Sequence, residues 1–188
     1  MKAIQIHQYG GPEVLLYGEA PLPEPGPRPA RGQIPAAGPD IIQVLHPPRA
    51  PPRPPPLPPR MGAYCMVRGA YAEYAVVPAD RLAPLPPNLT FGTAAAVLLQ
   101  GMTAHYLSHS TYPLRQGDVA LVHAAAGATG SLLVQMAKRA GATVIATVGS
   151  ATKAALARGD GADFVIDYTV ADFETEVEAS TGGRAVGV

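Results

Sequence analysis

The sequence predicts an α/β chain whose C-terminal half is a parallel sheet covered by helices, and three features predict it. Short apolar runs alternate with helical segments from Asp118 onward, an Ala/Gly-rich turn joins the first run to the first helix, and glycines punctuate the helix ends. Val119, Leu121 and Val122 form the first strand, Ala125 to Gly130 the turn, and Leu132 to Arg139 the first helix. Gly141 then marks a C-cap, and Thr143 to Val148, TVIATV, is a continuous β-branched run suited to a strand buried on both faces. Ala151 to Arg158 reads as the second helix, Gly161 as its stop, and Phe164 to Ile166 as a third short strand. Thr169 to Ala179 reads as a third helix, with Phe173 and Val177 on one face. Strand, helix, strand, helix, strand in this short compass means right-handed crossovers and parallel pairing.

The turn itself carries chemistry. Gly127 and Gly130 keep the spacing of the last two glycines in G-x-G-x-x-G, and Ala125 stands where the first would be. Such a turn lets backbone amides approach a pyrophosphate, which the positive end of the following helix stabilises. Ala-x-Gly-x-x-Gly also arises by chance in Ala/Gly-rich chains, and a doubly wound domain without nucleotide is the alternative. Its position at the first strand-to-helix junction, where this topology places ligands, favours a dinucleotide.

The end of the second strand bears on which dinucleotide. NAD sites usually carry Asp or Glu there, accepting from the ribose 2′-hydroxyl. Here the residues are Thr147-Val148-Gly149-Ser150-Ala151-Thr152-Lys153, with no carboxylate. A 2′-phosphate would be repelled by an acid and held by Lys153 and Ser150, so the reading is NADP(H). For Lys153 a solvated helix residue is the open alternative.

Five stretches then converge on a family: GAYAEYAVVPADRL (Gly69 to Leu82), AAAVLLQGMTAHYL (Ala94 to Leu107), VHAAAGATG (Val122 to Gly130), ATVGSATK (Ala146 to Lys153) and VIDY (Val165 to Tyr168). In order, spacing and wording the run from Gly69 to about Arg184 resembles the zinc-independent, zeta-crystallin-like quinone oxidoreductases of the medium-chain dehydrogenase/reductase superfamily. The opening MKAIQIHQYGGPEVLLYG also looks like the family's first strands. The resemblance implies a partial doubly wound (Rossmann) sheet, preceded by a degenerate, proline-rich remnant of a GroES-like β-barrel. It places the GroES-like domain at 1–91, disrupted at about 21–62, and the first half of the NADP-binding domain at 92–188.

Position by position, the resemblance assigns Gly127, Ala128, Thr129 and Gly130 to the turn over the pyrophosphate and Thr103 to the nicotinamide end. Gly149, Ser150, Lys153 and Tyr168 match the pocket for the adenosine 2′-phosphate. For Tyr168 the residues alone suggest only an amphipathic side chain closing a strand. The implied activity is NADPH-dependent reduction of quinones or related conjugated carbonyls, with a quinone-type small molecule as substrate. An enoyl or aldehyde reductase, or a catalytically inactive relative with residual nucleotide binding, are the alternatives. No catalytic residue is assigned, and a homodimer is the family expectation.

Composition sets the outer bounds. Net charge is zero with 47% hydrophobic residues, which gives no reason to expect nucleic acid or an anionic membrane as partner. The N-terminal MKAIQIHQYGG lacks the apolar segment of a signal peptide, and no stretch approaches the roughly 18 apolar residues of a membrane span, so the expected address is cytoplasmic. Cys65 is the only cysteine, excluding an intrachain disulfide. The superfamily's zinc sites need four cysteines, or Cys and His with a carboxylate. His7, His46, His105, His109 and His123 show no ligand spacing beyond the i, i+4 pair His105 and His109, an ordinary helical pair, so no metal is expected.

Between Pro21 and Arg60 lie sixteen of the 22 prolines, ending in PPRAPPRPPPLPPR, a tract suited only to polyproline II because proline lacks the amide donor of a ladder or helix. The family's barrel strands belong here, and about thirty residues of them are expected to be missing. Ala36 to His46 keeps family wording, with Asp40 where Asn is common beside the nicotinamide and quinone. Pro, Arg, Ala and Gly share GC-rich codons, so the expectation is a shifted reading frame, which resequencing of the locus would refute by confirming one open frame. At the other end, three of the roughly six strands of a doubly wound domain are readable before Val188. Only the adenine and pyrophosphate half of a cofactor site is therefore expected.

Overall fold

The computed structural model describes residues 1–8, 11–24, 29–37, 43–46, 61–63 and 70–183. Two compact units emerge, Met1–Leu99 and Gln100–Val188.

In the first unit, β1 (Lys2–Gln5) pairs antiparallel with β2 (Leu16–Glu19), and Lys2 Nζ closes the end on Glu19 at 2.6 Å. A five-stranded antiparallel sheet follows, built from β3 (Pro29–Ala37), β4 (Gln43–His46), β5 (Met61–Ala63), β6 (Tyr74–Pro78) and β7 (Leu82–Pro84) in the order β6-β3-β4-β5-β7. Two prolines upstream of the PPRAPPRPPPLPPR tract lie in this ladder. Pro29 is the first residue of β3, and Pro35 falls where the β3–β4 register shifts between Gln33 and Ala36. A bulge and a strand start are the places where a missing amide donor disturbs a ladder least. Within this sheet Ala75 and Val77 of β6 are buried against Ile34 of β3 and Leu82 of β7. The tract at 47–60, Asp40 and Cys65 lie outside the described residues.

Helix α1 (Phe91–His105) starts at Thr90, whose hydroxyl accepts from the Thr93 amide at 3.0 Å. At its far end the helix widens into a π-type turn over Tyr106–Thr111. There the Ser108 hydroxyl donates to the Ala104 carbonyl at 2.7 Å and to Met136 sulfur at 3.7 Å.

The second unit holds a three-stranded parallel sheet in the order β10-β9-β8, from β8 (Val119–Val122), β9 (Thr143–Val148) and β10 (Phe164–Asp167). Its helices are α2 (Ala128–Arg139), α3 (Ala151–Gly159) and α4 (Phe173–Thr181). Helix α2 begins at Ala128, ahead of the expected Leu132, because Gly127 takes the cap position and Gly130 lies within the first turn. Helix α4 begins at Phe173 instead of Thr169, because Asp172 caps it by accepting from the Thr175 amide at 3.1 Å.

Strand β9 is the spine. On one face Val144, Ala146 and Val148 pack with Ala120, Val122, Val134, Ala137, Ala154 and Ala157; on the other, Ile145 packs with Val119, Ile166 and Val177. Each large aliphatic side chain buried there contributes roughly 1.5–3 kcal/mol. Ahead of the strands, Asp163 accepts from Lys138 Nζ and from the Val144 amide, both at 2.7 Å, tying the end of α2 to the start of β9. Burial opposes the Asp163 charge, but these donors outweigh it and hold the carboxyl below the usual range.

Candidate functional site

The candidate residues, Thr103 apart, gather where the three parallel strands end. After β8 the chain turns through His123 and Ala124, which takes a left-handed φ of 49°. The Ala125 amide donates to the Thr147 carbonyl at 3.1 Å, and the Gly127 amide to the Ala124 carbonyl at 2.8 Å. This folds the turn tightly over the start of α2. A Cβ on Gly130 would lie 2.8 Å from Ala125 Cα and nearer still to the Ala124 carbonyl, so the backbone there excludes any side chain.

The helix that follows lacks what its neighbours have. Ser150 caps α3 by accepting from the Lys153 amide, and Asp172 caps α4, but Gly127 supplies no side-chain cap to α2, whose first turn holds no acid. The amides of Ala128, Thr129 and Gly130 have no acceptor among the described residues. Three unpaired donors at a positive helix end favour an anion.

One strand over, β9 runs into Gly149 and Ser150. Ser150 Oγ lies 3.3 Å from the Lys153 amide, which leaves the hydroxyl proton able to donate outward. Lys153 is exposed in the first turn of α3 and pairs with no carboxylate among the described residues. Beyond β10, the Tyr168 amide donates to the Val148 carbonyl at 3.1 Å, and the ring lies over Gly149. The neighbouring Asp167 carboxylate turns into its own loop. It accepts from the Thr169 hydroxyl at 2.6 Å and the Thr169 amide at 3.0 Å, which hold it below the usual carboxylate range.

The structure therefore brings Gly149, Ser150, Lys153 and Tyr168 together, and ties the turn of Gly127, Ala128, Thr129 and Gly130 to the same strand through Thr147. Thr103 stands apart, half-buried on α1 two residues beyond Gly101, which faces Leu132 of α2. Sequence reasoning missed His123 and Thr147, whose side chains meet at 2.9 Å. The only signal for them was their position at the ends of adjacent predicted strands. His105 and His109 stack in parallel at 4.1 Å, and His109 Nδ1 lies 2.8 Å from the Ser108 hydroxyl. Among the described residues no three His, Cys, Asp or Glu side chains group as metal ligands, and no helix is long and apolar enough to cross a membrane.

Comparison with known proteins places this geometry. Residues 128–188 match the family model described as zinc-binding dehydrogenase. Over 97% of its length the chain is 38% identical to a quinone oxidoreductase of Pseudomonas aeruginosa, of which it spans 63%. Over 99% it is 33% identical to a 2-haloacrylate reductase of a Burkholderia species, of which it spans 64%. The crystal structure of Escherichia coli quinone oxidoreductase complexed with NADPH superposes with a TM-score of 0.88 at 30% identity, covering 99% of this chain and 64% of that one. The chain thus spans just under two thirds of each of these three relatives. Parallel sheet, glycine turn and shared sequence agree that it belongs to the medium-chain dehydrogenase/reductase superfamily, and over nearly its whole length it is similar to quinone oxidoreductases of that superfamily.

Proposed function

We propose that the ends of β8, β9 and β10 hold the adenosine and pyrophosphate half of NADP(H), and that the protein reduces a conjugated carbonyl with it. One observation carries the reading: an uncapped helix end with three unpaired amides stands beside the acid-free end of β9, where Ser150 and Lys153 follow and the Tyr168 ring from the end of β10 lies over Gly149. The amides of Ala128, Thr129 and Gly130 suit a pyrophosphate. Ser150 and Lys153 supply a hydroxyl donor and a cation for a 2′-phosphate, and the phenol of Tyr168 closes the side over Gly149. NAD would find no carboxylate in this turn to accept from its ribose.

When bound, the nicotinamide supplies a hydride for the acceptor. The residues here bind and orient. Quinone and 2-haloacrylate, named for the two relatives, share a C=C bond conjugated to a carbonyl or carboxylate carbon, so that is the substrate class proposed.

The test is fluorescence titration with NADPH and NADH, followed by loss of nicotinamide absorbance on adding a benzoquinone. NADPH binding tighter than NADH by tenfold or more, about 1.4 kcal/mol, is expected. Equal affinities would overturn the 2′-phosphate assignment. Binding without turnover would leave a nucleotide-binding chain and remove the reductase reading for it.

A further inference from the structure

His123 follows β8 directly and precedes the left-handed Ala124. Its Nδ1 lies 2.9 Å from Oγ1 of Thr147, a residue only 1% exposed, and this is the partner the buried hydroxyl has among the described residues. The Thr147 carbonyl meanwhile accepts from the Ala125 amide at 3.1 Å. A single residue of β9 thus grips the turn on both sides of Ala124, through its side chain on one side and its backbone on the other.

The grip matters because a left-handed conformation is unfavourable for alanine and persists only where its surroundings over-determine it. That conformation carries the Ala124 carbonyl over the start of α2, where it takes the Gly127 amide at 2.8 Å. The His123 ring also meets Phe173, the first residue of α4, edge-on at 5.6 Å.

We propose that His123 is a positioning residue for the cofactor: through Thr147 it holds Ala124 left-handed and so aims the amides of Ala128, Thr129 and Gly130 at the pyrophosphate. The inference rests on the NADP(H) reading of that turn. His123 acts on the phosphates only through the backbone it fixes.

Three substitutions separate its contacts. H123N keeps a hydrogen-bonding atom near the Nδ1 position without the ring, H123F keeps a ring edge for Phe173 without the hydrogen bond, and T147V removes the hydroxyl at nearly constant shape. Each chain is titrated with NADPH and with adenosine 2′-monophosphate, which has the 2′-phosphate but no pyrophosphate. H123F and T147V should each weaken NADPH about fivefold to tenfold, the size of one lost hydrogen bond. Their combination should cost no more than either alone, H123N should stay within about twofold, and the monophosphate should bind all of them alike. Full NADPH affinity in H123F, or equal losses of both ligands, overturns the positioning role. If the unsubstituted chain binds neither nucleotide, the cofactor reading falls and this role falls with it.

Discussion

Tyr168 lies against Gly149 so closely that a Cβ at position 149 would fall 2.5 Å from the phenolic oxygen and 2.9 Å from Cζ. The contact joins the end of β10 to the end of β9, and it is the missing side chain at 149 that allows it. Because Tyr168 is 54% exposed, its ring has room to swing away. Gly149→Val should therefore weaken NADPH about tenfold while leaving NADH binding nearly unchanged, with stability shifted by no more than about 0.5 kcal/mol, as at other surface sites. Parallel titrations with the two nucleotides and a thermal melt check it.

Lys153 is the cation that the proposed 2′-phosphate would meet. Charge-assisted hydrogen bonds contribute about 1.5–3 kcal/mol, so Lys153→Ala should raise the NADPH Kd by roughly 10- to 100-fold and flatten its dependence on salt. Dissociation constants measured across an ionic-strength series decide this, and an unchanged Kd would return Lys153 to the role of a solvated helix residue.

Gly130 faces backbone, which cannot move aside as a side chain can. Gly130→Ala drives its methyl group into the Ala124 carbonyl and Ala125 Cα, and should destabilise the second unit by about 1–3 kcal/mol while abolishing NADPH binding. A lower urea midpoint with unchanged m is the expected signature.

Asp163 makes the fold sensitive to acid. Its carboxyl is held below the ordinary value, so the stability it provides is complete above the unfolded pKa of about 3.9 and is lost as pH falls through the lower folded value. Asp163→Asn should lower Tm at neutral pH and flatten the fall of Tm below about pH 4. Thermal melts from pH 7 down to about pH 3 measure both effects, with Lys138→Met as the matching removal of the partner. Asp167 and Asp172, held low by Thr169 and Thr175, add a drift of the same sign that the Asp163 variant leaves in place.

By itself the sequence determined the parallel sheet and the place of the glycine turn, because both rest on local rules. TVIATV is a continuous β-branched run, and β9 runs from Thr143 to Val148 as read. Ser150 and Lys153 entered as candidates through the absence of a carboxylate at a known distance from the glycines, while Tyr168 and Thr103 entered only through family resemblance. Only the tertiary structure decided where α2 begins, how Pro35 enters a strand, and which side chains hold the turn. Pro35 lies at a register shift that exists only once β3 has a partner. His123 and Thr147 are 24 residues apart, and they meet because parallel pairing aligns Val122 with Ala146 and so sets the residues that follow side by side. Periodicity along one segment carries no information about such a contact. It is created by the register between segments, and that register is set by burying both faces of β9.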